Sequence, residues 1–322
     1  MPTYSLRPAE LERDFAQLAV LFTMEQDEPT TELELQADYE AHKARIIRLM
    51  VAENEQGEFL GFNWATRSPS EPDEANIYII VKPEQRGQGV GHQLVADIER
   101  AARPTQVKKL LVRVRDTGPE YRRFAESCGF QELRHSIGMS LNLAAFDNRP
   151  YQATLERLQA EGFLFTSMET LGNTEEAQRK LYELNDTVSA ETPGSEGIHP
   201  WQSFEDFQRS VCGANWYRPA GQMVVIDTHN GEWAAMSAIT RFEGVDYAYN
   251  LFTGTDRRYR GRKLAQTVKM LALRYAREVL KVSTVKTHHN ASNAPMIAID
   301  RKMGYIQTPG FFSMQKNLVE MP

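Results

Sequence analysis

Tyr78-Ile79-Ile80-Val81-Lys82-Pro83-Glu84-Gln85-Arg86-Gly87-Gln88-Gly89-Val90-Gly91 reads as an apolar strand, a proline-punctuated turn and a glycine-rich entry into a helix. The arrangement recurs in Phe252-Thr253-Gly254-Thr255-Asp256-Arg257-Arg258-Tyr259-Arg260-Gly261-Arg262-Lys263-Leu264-Ala265. Arg86 and Arg260 stand 174 positions apart, and that offset also pairs Gly57-Glu58-Phe59 with Gly231-Glu232-Trp233, Asn76 with Asn250, and Leu94 with Val268. Residues 51 to 98 therefore align on a second copy without a gap. In a chain of 322 residues such a repeat predicts two similar domains of about 150 residues each. The polar, proline-ended stretch Asp147-Asn148-Arg149-Pro150 is the expected linker, giving domains over 1–147 and 150–322.

Both copies end in a loop suited to an anion. A helix N-terminus presents unpaired backbone N–H groups and a partial positive charge. Gly89 and Gly91 let a diphosphate approach the backbone with no Cβ in the way, and Arg86 can set a fixed charge beside it. An isolated match would read equally well as an ordinary strand–helix turn with Arg86 in a surface ion pair. The strand before, the amphipathic helix after and the recurrence at fixed offset favour the anion site.

Composition narrows the class. Hydrophobic content of 41% and charged content of 25% are those of a globular chain. The start, Met1-Pro2-Thr3-Tyr4-Ser5-Leu6-Arg7, lacks a signal-peptide apolar run, and no stretch approaches a membrane span, so a cytoplasmic protein with no membrane partner is expected. The net charge of -6 argues against nucleic acid, which requires clustered Lys and Arg. Cys128 and Cys212 have no metal-ligand or CxxC spacing and read as buried reduced thiols; no metal is expected.

Periodicity predicts a strand over 3–7, a helix through Leu11, Phe15, Leu18 and Phe22, a second helix from Glu34 to Met50, and a hairpin about Asn54–Gly57. After the loop helix follow a strand at Lys109–Arg115, a helix at Tyr121–Cys128 and a closing strand at Ile137–Leu143. The second half repeats this order, with a long Gly- and Pro-bearing loop at 187–201 and a last strand about Phe311–Met314.

Arg86-Gly87-Gln88-Gly89-Val90-Gly91 resembles the Arg/Gln-x-x-Gly-x-Gly/Ala motif of the GNAT superfamily of acetyl-CoA-dependent N-acetyltransferases. Val81, at the strand end, and the endings Cys128-Gly129-Phe130 and Met303-Gly304-Tyr305 match it too. The resemblance covers nearly the whole chain as two copies, and the arrangement is similar to mycothiol synthase-like two-domain bacterial acetyltransferases. It implies an α/β fold (an α+β mixed sheet) with two tandem GNAT (acyl-CoA N-acyltransferase) domains. Each sheet would be mostly antiparallel and splayed where acyl-CoA binds. Acetyl-CoA as cosubstrate would lie along Ile79 and Val81, with its diphosphate on the amides from Gly87 through Gln88, Gly89 and Val90 to Gly91, beside Arg86. In the second copy Thr253, Thr255, Arg260, Gly261, Arg262, Lys263, Leu264 and Ala265 would do the same.

The copies depart from the family pattern in different ways. Lys263 stands where a glycine is usual: it either adds charge to the site or marks a loop that no longer binds CoA. Asn293 fits the place of a family asparagine that contacts pantetheine, and equally reads as a helix N-cap. The tyrosine that many family members use to protonate the departing thiolate is replaced by Ala125 and Asp300. Asp246 and Tyr249, just upstream of the second loop, are the candidates for proton handling at the acceptor. His288 and His289, being adjacent, would point to opposite faces of a strand, which argues against joint metal ligation.

The expected activity is therefore acetyl transfer to a primary amine of a small molecule by direct attack, with the second domain catalytic. A degenerate acyl-CoA-binding or sensing module, and acetylation of peptide N-termini, are the alternatives.

Overall fold

The computed structural model describes residues 4–25, 30–69 and 71–318; Thr3, expected in the first strand, lies outside the described residues. The chain divides into two compact units, Met1–His135 with Gly310–Pro322, and Ser136–Pro309.

In chain order the elements are β1 (Tyr4–Pro8), α1 (Leu11–Glu25), α2 (Glu32–His42), β2 (Ile46–Asn54), β3 (Phe59–Arg67), β4 (Glu74–Val81), α3 (Val90–Ala102), β5 (Lys109–Arg115), α4 (Pro119–Ser127) and β6 (Gln131–Asn142). There follow α5 (Arg149–Ala160), β7 (Phe163–Ser167), α6 (Glu175–Ala190), α7 (Phe204–Phe207), β8 (Gln222–Asp227), β9 (Glu232–Thr240), β10 (Ala248–Thr255), α8 (Leu264–Glu278), β11 (Thr284–Asn290), α9 (Ala294–Lys302) and β12 (Ile306–Asn317).

Within the first unit β1, β2, β3 and β4 form an antiparallel ladder, β4 runs parallel to β5, and β12 closes against β5 antiparallel. Both faces of this sheet are covered, so Phe59 to Ala65 of β3 is buried throughout. Phe62 and Trp64 pack on α1 through Phe15, Leu18 and Phe22, while Leu60 meets Val90 and Leu94 of α3. Burying Val90, Leu94, Val95, Ile98 and Ala102 on one stripe is what fixes α3 to the sheet.

The second helix ends earlier than its apolar pattern suggests. Thr31 and Glu34 form a capping box that starts α2, but the helix stops at His42, and Ile46 onward is strand β2. The β-branched Ile46 pairs with Thr66 of β3, and Ile47 bulges before the Arg48↔Ala65 pair, rather than continuing a helical face.

The second unit repeats the order: β7, β8, β9 and β10 are antiparallel, β10 runs parallel to β11, and β6 closes against β11 antiparallel. Its two faces separate by strand alternation. Val224, Met236 and Ala238 meet Leu184 and Val188 of α6, whereas Val225 and Ala235 meet Leu264 and Val268 of α8.

Two features differ from the sequence expectation. The copies do not superpose without a gap, because β10 carries a bulge at Leu251, between the pairs Asn250↔Ile239 and Phe252↔Ala238. The register partner of Asn76 on β3 is Thr66 and that of Tyr249 on β9 is Thr240, so Tyr249, not Asn250, is the counterpart of Asn76. The closing strands are also exchanged in sequence. Ser136 to Asn142, at the end of the first repeat, pairs with β11 of the second unit, and Phe311 to Asn317 pairs with β5 of the first. Among the described residues no helix is long and apolar enough to cross a membrane.

The exchange is testable. His135 Nε2 and the Gly310 amide both bind the Asp116 carboxylate, at 2.8 and 2.7 Å, so the ends of the first unit's two segments lie at one point. A chain of residues 1–135 joined by a short Gly/Ser linker to 310–322 is expected to unfold cooperatively in urea. Residues 1–147 alone are expected to give no cooperative transition, because β5 then has no antiparallel neighbour.

Candidate active site

In both units the parallel pair stops pairing before its strands end. β4 and β5 pair from Glu74↔Lys109 to Ile77↔Val112, then β4 runs on to Val81. β10 and β11 pair only at Ala248↔Val285 and Tyr249↔Lys286, then run to Thr255 and Asn290. The result is a fork lined on one side by backbone. Lys82 N donates to Leu60 O (2.9 Å) and Asp256 N to Ala234 O (3.0 Å), both toward the antiparallel neighbour. Alternation therefore turns the amides and carbonyls of Ile79 and Val81, and of Thr253 and Thr255, into the forks.

Each fork ends at a loop of the same backbone shape. Gly87 and Gly89 have φ of 74° and 86°, and Gly261 and Lys263 have 83° and 71°. Gly89 and Lys263 are the N-caps of α3 and α8, so the amides of Val90 and Gly91, and of Leu264 and Ala265, are among the unpaired first-turn donors. A Cβ built on Gly87 or Gly261 meets nothing within 4 Å, and on Gly89 only the Tyr4 hydroxyl at 3.8 Å. Space above both loops is open. Lys263 thus keeps the left-handed turn that glycine gives the first loop, with its side chain exposed beside the amides. Gly91 is required for a different reason, since a Cβ there would lie 2.8 Å from the Phe124 ring; Ala265 takes its place in the second loop.

Arg86 and Arg260 act as matched clamps. Arg86 Nε donates to Val81 O at 3.1 Å and its Nη2 to Glu25 at 2.5 Å; Arg260 Nε donates to Thr255 O at 3.1 Å and its Nη2 to Glu191 at 2.7 Å. Each guanidinium ties the strand end to a carboxylate at the end of a preceding helix. Gln88 and Arg262 are exposed at the loop tips, and Arg262 lies over the Phe163 and Tyr259 rings at 5.5 and 6.0 Å.

The proton-handling candidates fall differently. Tyr249 Oη meets His288 Nδ1 at 2.7 Å, where β10 and β11 make their last pair. Asp246 is exposed in the turn before β10, ahead of the fork. Asn293 caps α9 by accepting from the Met296 amide at 3.3 Å. His288 was visible in the sequence only as half of a histidine pair tested against metal ligation.

The second unit also polarises a cluster that is apolar in the first. Val95, Val114, Ala125 and Phe130 pack together in the first core. Their counterparts on α8, β11, α9 and the following turn are Lys269, His289, Asp300 and Tyr305. Lys269 and Asp300 have no exposed side-chain surface and form an ion pair through Nζ and Oδ1. His289 Nε2 meets Asp300 Oδ2 at 2.7 Å with 10% of its side chain exposed. The Lys269 ammonium sits 4.6 Å from the Tyr305 ring centre, and the buried Tyr305 hydroxyl has no hydrogen-bond partner among the described residues.

The sequence profile described as the Acetyltransferase (GNAT) family matches residues 12–130 and again 180–305. The chain belongs to the GNAT acetyltransferase family. A GCN5-related N-acetyltransferase from Sphaerobacter thermophilus superposes with a TM-score of 0.69 at 17% identity, covering 98% of this chain and 96% of that one. A tandem GNAT protein from the clavulanic acid biosynthesis pathway gives 0.65 at 17% identity, with 99% and 100% covered. A GCN5-related glucosamine N-acetyltransferase region of a fungal multi-domain β-N-acetylglucosaminidase gives 0.70 at 13% identity, covering 98% of this chain and 38% of that one. These likenesses show a tandem GNAT fold. No curated protein matches the chain. It is a GNAT acyltransferase built as two α/β units, each with a mixed sheet.

In this GNAT chain the buried charges are held by one another. Burial pushes the Asp300 carboxyl up, but the hydrogen bond from His289 and the charge of Lys269 outweigh it and hold it below the ordinary carboxylate range. Burial pulls the Lys269 ammonium down despite Asp300. Asp300→Ala is expected to cost about 3–5 kcal/mol by stranding Lys269, whereas Lys269→Val with His289→Val and Asp300→Ala, the first unit's set, should be neutral or stabilising by about 1–4 kcal/mol. Because the Asp300 pKa is depressed, its contribution is present above the unfolded carboxyl pKa of about 3.9 and is lost as pH falls through the folded value. Urea unfolding from pH 7 down to pH 3 should show wild type losing stability faster than the triple variant. At the loop, Lys263→Gly is expected to stabilise by about 1 kcal/mol and Lys263→Val to destabilise by about 1–2 kcal/mol, read from the same unfolding midpoints.

Proposed function

We propose that this GNAT chain is an acetyl-CoA-dependent N-acetyltransferase that acetylates a primary amine of a small molecule by direct attack, with the second unit as its reaction centre. The observation that carries the reading is a fork of unpaired backbone that leads, in both units, to an open left-handed loop at a helix N-terminus. That donor set fits a diphosphate joined to an extended amide-bearing arm. The amides of Gly87 to Gly91, or of Gly261 to Ala265, would hold the diphosphate. Ile79 and Val81, or Thr253 and Thr255, would pair with pantetheine as an added strand. Asn293, through its remaining amide group, would border that arm. Bound acetyl-CoA supplies the activated acyl thioester. Arg86 and Arg260, tied to Glu25 and Glu191, would set the loop shape, and Lys263 would add charge to the second loop. A resemblance to mycothiol synthase-like two-domain acetyltransferases belongs to this reading and brings no substrate with it.

Direct attack is supported by the thiols. Burial pushes Cys212 up to about 11 and raises Cys128 as well, so neither offers a thiolate to carry the acetyl group near neutral pH. The acceptor ammonium must lose a proton before it attacks, and the Tyr249–His288 pair at the second fork would receive it. The first unit has Asn76 and Arg113 at the corresponding positions and would bind without reacting. Asp246 is set aside as base because it lies ahead of the fork.

Calorimetric titration of acetyl-CoA tests the reading, using Gln88→Glu and Lys263→Glu to set a carboxylate beside each loop without changing its backbone class. Lys263→Glu is expected to weaken one binding event at least tenfold, roughly 1.4 kcal/mol, and to abolish turnover on a panel of small amines. Loss confined to Gln88→Glu would move the reaction centre to the first unit. Binding without turnover on small amines or peptides would make the chain an acyl-CoA-binding module.

A further inference from the structure

Cleaving a thioester releases a thiolate, and a thiol pKa of about 8.5 makes its protonation in the transition state useful near neutral pH. The positions that would carry a tyrosine for this purpose hold Ala125 and Asp300. Ala125 has no proton to give. Asp300 is fully buried and paired on both oxygens, Oδ1 to Lys269 and Oδ2 to His289.

The hydrogen bond at Oδ2 leads outward to His289. This residue lies three positions beyond Lys286, the last β11 residue paired with β10, and so on the arm of β11 that borders the second fork. Its side chain is on the face packed by α8 and α9, the helix pair whose first member begins at the diphosphate-type loop. Its neighbour His288 turns to the other face and meets Tyr249. One strand thus offers an imidazole to each side of the fork. In the first unit the His289 position is Val114, in an apolar core, so this chemistry is confined to one copy.

We propose that His289, held by Asp300 and balanced by Lys269, protonates the departing thiolate in the second unit; the proposal rests on the N-acetyltransferase reading above. In the step, the amine nitrogen bonds to the carbonyl carbon and the C–S bond breaks with its electron pair going to sulfur. The His289 nitrogen not held by Asp300 gives its proton to that sulfur. His289 is left neutral and is reprotonated by solvent, while the two protons shed by the acceptor nitrogen, one from the ammonium before attack and one as the amide forms, leave through the Tyr249–His288 side. Lys269 and Asp300 are positioning residues: Asp300 accepts the Nε2–H, so the proton to be given is carried on Nδ1. Asp300 from α9 meets His289 directly, and Lys269 from α8 and Tyr305 from the turn after α9 surround that carboxylate; burial followed by the Asp300 charge keeps the Tyr305 phenol well above its ordinary range.

The test is His289→Gln in the full chain, with three readouts. Acetyl-CoA affinity by calorimetry is expected to stay within about twofold, while kcat falls about 100-fold and its pH profile changes shape. In wild type, the His289 ring signals in NMR are expected to move when acetyl-CoA is added. If His289→Gln fails to fold, the apolar triple variant with Val, Val and Ala at 269, 289 and 300 carries the same kinetic comparison. Wild-type kcat and an unchanged pH profile in the folded variant would overturn the proposal and leave the N-acetyltransferase reading standing. Failure of wild type to bind acetyl-CoA would overturn both, and calorimetry shows that before any kinetics.

Discussion

A parallel strand pair that stops hydrogen-bonding part-way leaves a row of amides and carbonyls that must be met by side chains, solvent or a ligand. In each unit the pairing stops after two to four registers while at least one strand continues for several residues. The rest of the site follows from that opening. The arginine clamp takes the last strand carbonyl, the left-handed loop turns the chain directly into a helix, and the helix presents its unpaired amides at the end of the row. A ligand fitting the whole row is extended, rich in amides and anionic at one end.

Much of this could be read from the residues because glycine announces backbone shape. Gly89 and Gly91 marked a backbone open to an anion at a helix entry, and the recurrence of the pattern pointed to two units of one fold. Lys263 could not be decided that way: the feature that matters is its φ, and a lysine carries that conformation only because the surrounding strand, clamp and helix impose it. The bulge at Leu251 was hidden for another reason. One extra residue in β10 offsets one fewer in the preceding connection, so the aligned sequences show no gap at all. The overlong second helix came from Ile46-Ile47, where local apolar spacing gives no sign of a hairpin partner.

The polar cluster shows a different limit. Each of Lys269, His289 and Asp300 is unremarkable in its own element, and only superposing three elements of one unit on the other reveals that four apolar neighbours became four polar ones. Removing two charges from water is unfavourable, and two hydrogen bonds on one carboxylate offset part of that cost here. Two copies of one fold have thereby come to differ in their interiors more sharply than in their ligand loops.

The exchanged closing strands bear on how the molecule is made. During synthesis β5 emerges early, yet Phe311 to Asn317, its antiparallel neighbour, comes nearly 200 residues later. At about 5–20 residues per second, β5 waits roughly 10–40 s with one edge uncovered. An open edge is a template for pairing with other chains. The amino-terminal unit is therefore completed only after the strands of the second unit have been made, and until Phe311–Asn317 arrives its β5 edge is open to pairing with other chains.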